Sequence, residues 1–181
     1  SISKKKRLLR NRNKLIKINN KNISTLGKYP IIINCIGLTK NYNNSKYIYS
    51  INKNKFISYS KNILKIIKIN KCKVFIHIGS SMEYRGIVGG KINEDSKTSP
   101  DTNYGKLKKF ETDFFNKKLK KTNIKLIILR LFSIYGIFLK SKSLIDQILF
   151  KKKIILSNPN TKIDIINFKY LCHIIQTLIK Q

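Results

Sequence analysis

Short apolar runs alternate with longer stretches of helical period along this chain. Four runs rich in Ile, Leu and Val are apolar over most of their length, as expected for strands buried on both faces of a parallel sheet. They predict strands over residues 14–18, 29–34, 73–78 and 125–131. Because helical stretches separate these runs, the pattern predicts an α/β fold in which helices cover a parallel sheet.

The stretches between and after the runs predict helices over residues 52–69, 104–120, 143–150 and 170–180. In the first of them, Phe56, Ile63 and Ile67 can share one broad apolar face. Pro100 and Asp101 are the expected entry residues of the second helix, since proline is tolerated in a first helical turn. The sequence has no internal repeat, and its hydrophobic period argues against disorder.

Composition and charge add one alternative to this picture. At 181 residues the chain can bury the core of one globular unit, and its formal net charge of +31 would suit a polyanion. The basic residues are mostly Lys, spread along the chain, whereas nucleic-acid readers use Arg gathered on one face. We interpret the charge as a composition bias and do not expect a nucleic-acid partner, but a basic polyanion-binding protein remains an alternative.

Cysteine usage indicates a reducing compartment. Cys35, Cys72 and Cys172 are odd in number, widely spaced and set among apolar residues, which predicts reduced core thiols in a cytoplasmic protein. We expect no metal, because no pair has the spacing of a metal site. The most apolar stretch, residues 126–139, contains Arg130 and is shorter than the roughly 20 residues that span a bilayer, so no membrane association is expected.

A candidate for acid–base chemistry lies in the second predicted helix. Tyr104 and Lys108 are four residues apart and therefore lie on one helical face. An ammonium beside a phenol favours the phenolate, which suits proton transfer near neutral pH. In a chain this rich in Tyr and Lys, the same spacing is also typical of an exposed helical pair.

The order of the surrounding motifs carries a resemblance. The strand over 74–78 runs into Gly79-Ser80-Ser81-Met82-Glu83-Tyr84-Arg85-Gly86, and Asn93-Glu94-Asp95, Ser99-Pro100, Tyr104, Lys108, Glu111, Arg130 and Tyr135-Gly136 follow. From about residue 30 to about 178 this resembles the extended short-chain dehydrogenase/reductase family, the NAD-dependent epimerase/dehydratase group. Its pattern is a strand, Ser-Ser-x-x-x-Tyr-Gly, a Glu, a Pro, Tyr-x-x-x-Lys, a Glu, and an Arg near a Tyr-Gly.

The resemblance implies an architecture and an activity. The expected fold is a Rossmann-like doubly wound parallel sheet, N-terminally truncated, with the start of a small C-terminal substrate lobe. Residues 1–136 would form a partial NAD(P)-binding and catalytic domain, and residues 137–181 part of the substrate lobe. The implied function is an NAD(P)-dependent nucleotide-sugar epimerase or 4-keto-reductase, in the oxidoreductase and isomerase classes, with NAD or NADP as cofactor. Such proteins commonly form homodimers, here through the helices around Ile63 and Phe114.

The resemblance also implies roles for individual residues. Tyr104 would exchange the proton of a sugar hydroxyl, Lys108 would hold the nicotinamide ribose and favour the phenolate, and Ser80 would hydrogen-bond the reacting oxygen. The implied cofactor-binding residues are Asn34, Gly37, Tyr104 and Lys108, and the implied substrate-binding residues are Ser80, Ser81, Ser133 and Asp164. Ser81 and Met82 stand where sugar-nucleotide dehydratases carry an Asp-Glu pair, which disfavours dehydration.

The chain departs from the family at its N-terminus, where no Gly-x-x-Gly-x-x-Gly loop is present to approach the cofactor pyrophosphate. A truncated gene, a fragment of a complete enzyme and a degenerate relative all remain open. The function could accordingly be that of a truncated or inactive form, or of a non-catalytic remnant that binds a nucleotide or partner. Ser133, Ile137 and Ile163 also replace the family's usual Asn, Pro and Arg.

Simpler interpretations stand beside several of these residues. Ser80 could satisfy backbone groups at a strand-to-loop turn. Glu83 and Glu94 are expected to be loop or capping carboxylates. His77 is expected to be a satisfied core histidine in a buried strand, and His173 to lie on a helix, and neither is assigned chemistry.

Overall fold

The computed structural model describes residues 28–37, 46–84, 91–136, 148 and 164–181. In chain order the elements are β1 (Ile31–Asn34), α1 (Lys46–Ile69), β2 (Val74–Ser80), a 3₁₀ turn (Ser81–Glu83), α2 (Asn103–Leu119), β3 (Lys125–Leu131), β4 (Ser133–Tyr135), β5 (Ile165–Asn167) and α3 (Phe168–Lys180). The predicted α/β fold with a Rossmann-like parallel sheet is confirmed.

Three strands form the main sheet in the order β1-β2-β3, and both pairs are parallel. The helices α1 and α2 connect them, because parallel neighbours need a crossover rather than a hairpin. Ile31 is in register with Val74, and Ser80 is in register with Leu131. Consequently the carboxyl ends of all three strands, where Asn34 and Ser80 lie, meet at one edge of the sheet.

A second sheet consists of β4 and β5, which are also parallel. Ser133 is in register with Ile165, and its backbone N–H donates to the carbonyl of Asp164 at 3.3 Å. The structure therefore brings Ser133 and Asp164 together although about thirty residues separate them in sequence.

The core lies between α1, α2 and one face of the main sheet. Phe56 of α1 is at its centre, with ring centroids 5.0 Å from Tyr59 and 5.9 Å from Phe115, both edge to face. Phe75 extends the cluster from β2, with its centroid 4.9 Å from that of Phe115. Edge-to-face rings gain electrostatic attraction in addition to their buried area, so this cluster fixes the two helices against the strand that ends at Ser80.

The predicted element bounds agree closely with the structure in the middle of the chain. β3 has the predicted bounds, and α2 is displaced by one residue. β1 begins two residues later than predicted, and β2 begins one residue later and ends two residues later. α1 begins at Lys46 rather than at residue 52, and α3 begins at Phe168 rather than at residue 170. The predicted strand over 14–18 and the predicted helix over 143–150 lie outside the described residues, except that Ile148 is helical.

One expectation about the strands is wrong. Only β2 is largely buried on both faces, whereas Ile31 and Ile33 of β1 are 38% and 43% exposed. Successive side chains of a strand point to opposite faces, and Ile32, on the other face, packs against the core. β1 is an edge strand of the described sheet and is covered on the helix side alone.

The expectation of three core thiols is also wrong. All three cysteines are free, but only Cys72 is buried, while Cys172 is intermediate and Cys35 is exposed. Cys35 directly follows the end of β1, where the chain leaves the sheet, so the apolar neighbours in its sequence do not enclose it.

Replacing Phe56 by Ala should remove the centre of the aromatic cluster. Because the ring is fully buried, the expected loss in the free energy of unfolding is about 3–5 kcal/mol, measured by urea denaturation. Tyr170→Ala is the control, since that side chain is 61% exposed and its loss should change stability by about 0.5 kcal/mol or less. Equal effects of the two substitutions would contradict the assigned core.

Candidate active site

The turn after β2 is built around Ser80. Its hydroxyl oxygen accepts a hydrogen bond from the backbone N–H of Met82 at 3.2 Å. In return, the Glu83 carboxylate accepts from the backbone N–H of Ser80 at 3.0 Å, which completes a capping box. The capping interpretation of Ser80 and Glu83 is thus confirmed, and Glu94 lies exposed in a loop. A hydroxyl that accepts such a bond still carries its own hydrogen, so capping leaves Ser80 able to donate.

Glu83 is a fully buried carboxylate that joins three elements. Besides Ser80, it accepts a hydrogen bond from the Thr112 hydroxyl on α2 at 3.2 Å and from Nε of Arg130 on β3 at 2.9 Å. Arg130 in turn donates from Nη1 to the Tyr84 hydroxyl at 2.9 Å. The turn at Ser80 is therefore held against both the helix and the neighbouring strand.

The ion pair with Glu83 affects the pKa of Arg130. Burial acts to lower the pKa of this guanidinium, but the Glu83 carboxylate and Tyr84 outweigh it, and the pKa is raised. A buried carboxylate that loses its cation is strongly destabilising, so Arg130 and Glu83 stabilise the fold only as a pair.

The first turn of α2 lies directly on the Ser80 turn. Thr102, rather than the expected Pro100 or Asp101, caps the helix, and its hydroxyl accepts from the Gly105 N–H at 3.1 Å. A Cβ added at Gly105 would lie 2.3 Å from the Met82 carbonyl oxygen. Only a residue without a side chain permits this approach, which places the half-buried Tyr104 beside the carboxyl end of β2.

Lys108 is buried rather than exposed. Only 4% of the residue is accessible, and its Nζ lies 2.5 Å from Oε2 of Glu111, three residues on in the same helix. The interpretation of Tyr104 and Lys108 as an ordinary exposed helical pair is therefore wrong for Lys108. A buried ammonium requires a counter-ion because desolvation of an isolated charge is costly, and Glu111 supplies it.

Glu111 belongs to a buried polar network that reaches β1. The Tyr59 hydroxyl donates to Oε1 of Glu111 at 3.3 Å, and Nε2 of His77 lies 3.9 Å from Oε2. On the other side of the ring, Nδ1 of His77 lies 3.0 Å from Nδ2 of Asn34. Among the described residues Nε2 of His77 has no hydrogen-bond partner, so the expected core histidine is buried but only partly satisfied.

Burial shifts the pKa values of His77 and Glu111 in this network. It lowers the pKa of His77 to about 3, with the Lys108 charge acting in the same direction. It raises the pKa of Glu111, against the lowering influence of Lys108 and Tyr59 and in the same direction as Glu83. His77 is therefore neutral at physiological pH.

The remaining candidate residues fall into three places. Ser81 is half-buried in the 3₁₀ turn beside Ser80, and Gly37 is exposed after β1, with open space around it. Ser133 and Asp164 are both exposed and meet at the start of the second sheet. The structure thus brings Ser80 and Ser81 to the first turn of α2, joins Asn34 to Lys108 through His77 and Glu111, and pairs Ser133 with Asp164.

Two cavities flank these elements. One of about 450 Å³ lies between β3, β5 and α3, and its lining includes Tyr84, Arg130 and Phe132. A larger one of about 710 Å³ lies beside the last turn of α2 and the start of β3, at the opposite edge of the sheet. We regard the smaller cavity as the relevant one, because ligands of open parallel sheets bind at the carboxyl ends of the strands.

Sequence reasoning missed several residues on which this geometry depends. Glu111, Thr112 and Arg130 were not assigned to the site, and the Asn34 amide was not expected to contact a histidine. The spacing of Lys108 and Glu111 was the available signal for the ion pair, because residues three apart are neighbours on a helix. Sequence alone offered no comparable signal for the bonds between Glu83, Thr112 and Arg130, which join separate elements.

Comparison with known families decides the assignment. The profile of the NAD dependent epimerase/dehydratase family matches residues 12–163, which is most of the chain. The chain belongs to the NAD-dependent epimerase/dehydratase family. A sequence search of curated proteins gave no match for this family member.

Solved structures agree with the fold of this epimerase/dehydratase chain. UDP-glucuronic acid 4-epimerase from Bacillus cereus, in complex with UDP-glucuronic acid and NAD, superposes with a TM-score of 0.77 at 20% identity, over 98% of this chain and 59% of that one. UDP-N-acetylglucosamine 4-epimerase from Methanobrevibacter ruminantium, in complex with UDP-N-acetylmuramic acid, gives 0.69 at 16%, over 85% and 53%. A dTDP-glucose 4,6-dehydratase variant from Streptomyces venezuelae gives 0.67 at 14%, over 86% and 50%.

The epimerase/dehydratase chain thus spans a little over half the length of these solved chains. Within its described ranges, none of the helices combines the length and the apolar character needed to cross a membrane. In the same ranges no group of three or more His, Cys, Asp or Glu side chains could hold a metal ion.

Replacing His77 by Asn should remove a pH dependence from stability. Below the ordinary pKa of 6.5 the unfolded chain binds a proton at His77 that the folded chain, with a pKa of about 3, excludes. Stability from this residue is therefore fully present above pH 6.5 and is lost as pH falls toward 3, by up to about 1.4 kcal/mol per pH unit.

Urea denaturation between neutral pH and about pH 4.5 measures this slope. His77→Asn keeps an acceptor for Asn34 and should flatten the slope relative to the parent chain. The exposed His173, replaced by Asn in the same way, is the control and should leave the slope unchanged. A slope that persists in His77→Asn would contradict the buried, neutral histidine.

Replacing Gly105 by Ala should force α2 away from the Ser80 turn. The new methyl would meet the Met82 carbonyl oxygen, part of the backbone, so the expected loss of stability is about 1–3 kcal/mol despite the better helix propensity of Ala. Gly37→Ala is the matched control, because a Cβ there has nothing within 4 Å. Thermal unfolding of both variants distinguishes them, and a Gly105→Ala chain as stable as its parent would refute the close approach.

Proposed function

We propose that this chain forms the catalytic part of an NAD-dependent nucleotide-sugar epimerase or 4-keto-reductase. The observation that carries the proposal is the packing of α2 on the Ser80 turn, where Gly105, the neighbour of Tyr104, meets the Met82 carbonyl oxygen while Lys108 lies buried on the same helix. Membership of the NAD-dependent family supports it, as do solved structures of similar fold that bind UDP-glucuronic acid and NAD.

The residues of the chain divide the proton chemistry between them. Tyr104 takes the proton of the sugar hydroxyl when that carbon is oxidised and returns a proton to the keto oxygen when it is reduced, and Ser80 donates a hydrogen bond to the same oxygen. The Lys108 ammonium favours the phenolate, since a nearby positive charge stabilises the charged form. Bound NAD supplies hydride transfer at the sugar carbon, and the protein supplies position and electrostatics.

The residues fit the nicotinamide end of the cofactor better than its pyrophosphate. Tyr104 and Lys108 offer a phenol and an ammonium on one helix, and Gly37 leaves open space after β1. The first glycine of the sequence is Gly27, so residues 1–26 offer no glycine-rich loop for the pyrophosphate. We assign Asn34, Gly37, Tyr104 and Lys108 to the cofactor side of the proposal.

The sugar side of the proposal uses Ser80, Ser81, Ser133 and Asp164. Both members of the pair Ser133 and Asp164 are exposed and lie beyond the carboxyl end of β3, where a substrate lobe would begin. We place the division between the two domains after residue 136. The same proposal includes a homodimer through the outer faces of α1 and α2. It also includes a cytoplasmic location, which suits three free cysteines.

Dehydration is disfavoured because the nearest carboxylate, Glu83, is already engaged by other groups. Ser81 and Met82 carry no acid, and Glu83 already accepts from Ser80, Thr112 and Arg130. A carboxylate whose oxygens are occupied by these three donors is not free to serve as the acid for a leaving hydroxyl. We therefore propose epimerisation or 4-keto reduction rather than elimination of water.

A second candidate function is a non-catalytic relative that binds a nucleotide or a partner. One observation favours it, the engagement of Lys108 by Glu111. This candidate predicts that the protein turns over no nucleotide sugar. Turnover of UDP-glucuronic acid in the presence of NAD separates the two, and a lack of measurable NAD affinity in isothermal titration would rule out the enzyme.

The Tyr104→Phe substitution tests the enzyme directly in the full protein that carries this chain. Epimerisation of UDP-glucuronic acid or UDP-N-acetylglucosamine in the presence of NAD is followed by proton NMR of the sugar. Loss of the proton donor should lower kcat by about 10²–10⁴-fold, while NAD affinity measured by titration is retained. Tyr170→Phe removes an exposed hydroxyl and serves as control. Unchanged turnover in Tyr104→Phe would refute the assigned mechanism.

A further inference from the structure

Two buried ionisable groups have no part in the proposed proton chemistry. Glu111 and His77 are both fully inaccessible, yet Glu111 bonds the ammonium of Lys108 at 2.5 Å and His77 lies next to it at 3.9 Å. Four elements contribute groups that face the Glu111 carboxylate. They are Lys108 of α2, His77 of β2, Tyr59 of α1 and Glu83 of the 3₁₀ turn.

The hydrogen bonds of Asn34 determine which nitrogen of His77 carries the proton. The Asn34 carbonyl oxygen accepts from the backbone N–H of Ile36 at 3.2 Å, so its amide nitrogen faces His77 at 3.0 Å. An amide nitrogen only donates, and Nδ1 of His77 must accept. The ring hydrogen is consequently on Nε2, which points toward the Glu111 carboxylate.

The result is a series of neighbouring polar groups from the middle of α2 to the end of β1, with a distance of 3.9 Å at the step between Glu111 and His77. It runs from Lys108 through Glu111 and His77 to Asn34, and from there to the backbone of Ile36. Both ends carry residues of the proposed cofactor side, the ammonium at one end and the loop that leads to Gly37 at the other. A movement of the Glu111 carboxylate would therefore affect both Lys108 and the loop after β1.

We propose that Glu111 is a positioning residue for Lys108, and that His77 and Asn34 couple this pair to the loop after β1. The role rests on the proposed function, since it concerns the ammonium assigned to the nicotinamide ribose. Glu111 contacts neither cofactor nor substrate and acts through Lys108. It fixes one hydrogen of the ammonium and leaves the other two for ligands, because an ammonium carries three donors.

The same helix contains a matched pair that lacks these features. Lys109 and Asp113 form an ion pair at 2.8 Å, but the Asp113 side chain is 57% exposed while that of Glu111 is fully buried. Exposed helical pairs are screened by water and contribute little, whereas a buried pair cannot lose one partner without consequence. Asp113→Asn and Glu111→Gln therefore remove the same charge from the same helix in two different surroundings.

The first test needs no activity and uses nitrogen-15 NMR of the chain. Exposed lysine ammonium groups exchange with water too fast to be seen, so Lys108, the buried lysine of the described residues, should give a protected ammonium signal that Lys108→Arg removes. The signal should persist in Asp113→Asn and vanish in Glu111→Gln. The sequence has two histidines, so the ring nitrogens of His77 are assigned by His173→Asn and should show hydrogen on Nε2.

The second test measures turnover of UDP-glucuronic acid in the full protein. Glu111→Gln should lower kcat on the order of a hundredfold with KM for the sugar little changed, because a misplaced group costs rate rather than substrate affinity. Asp113→Asn should keep the parent kcat. Tyr59→Phe, which removes one bond to Glu111 and keeps the ring beside Phe56, should give a smaller loss in the same direction.

The outcomes separate this role from the proposed function. If the parent protein turns over no nucleotide sugar, the proposed function fails, and the NMR arm still decides whether Glu111 fixes Lys108. A protected Lys108 signal that survives in Glu111→Gln, or equal kcat values for Glu111→Gln and Asp113→Asn in an active enzyme, would overturn the positioning role. If Glu111→Gln does not fold, Tyr59→Phe carries both readouts, and parent values there would overturn it equally.

Discussion

The geometry of the site depends on one buried carboxylate, Glu83. It accepts hydrogen bonds from the backbone of Ser80, from Thr112 on α2 and from Arg130 on β3, so three elements share one acceptor group. A carboxylate buried with fewer partners would be costly, and this one has three. The turn at Ser80 therefore cannot move independently of the helix that carries Tyr104. Gly105 completes the constraint by letting the two backbones touch.

The composition of the chain makes its buried acids informative. Against 39 basic residues the sequence has 8 acidic ones, and Glu83 and Glu111 are both fully buried beside cations at the candidate site. A bias toward Lys and Asn explains charge on the surface, where substitutions are nearly neutral. It does not explain a carboxylate held inside the fold, because each such group must be matched by a partner in three dimensions.

The sequence predicted the individual helices and longer strands of this fold but not the contacts between residues that are far apart in sequence. β2, β3 and α2 were placed within two residues because their hydrophobic period is strong and their ends carry turn or capping residues. β4 and β5 were not predicted, since each has three residues and exists only through pairing with the other. The buried state of Lys108 was equally inaccessible. A lysine at that spacing is usually exposed, and only the position of the helix against β2 shows that it is not.

The network around Glu111 changes what the Tyr104 and Lys108 pair can do. If the ammonium had no counter-ion, burial would favour the neutral amine and remove the positive charge that the proposed role of Tyr104 requires. Glu111 supplies that counter-ion, with its Oε2 2.5 Å from the Nζ of Lys108. The same carboxylate also reduces the net positive field at the phenol. How strongly Lys108 favours the Tyr104 phenolate in the proposed mechanism therefore depends on the distance between the Lys108 ammonium and the Glu111 carboxylate. His77 and Tyr59 lie against that carboxylate from neighbouring elements.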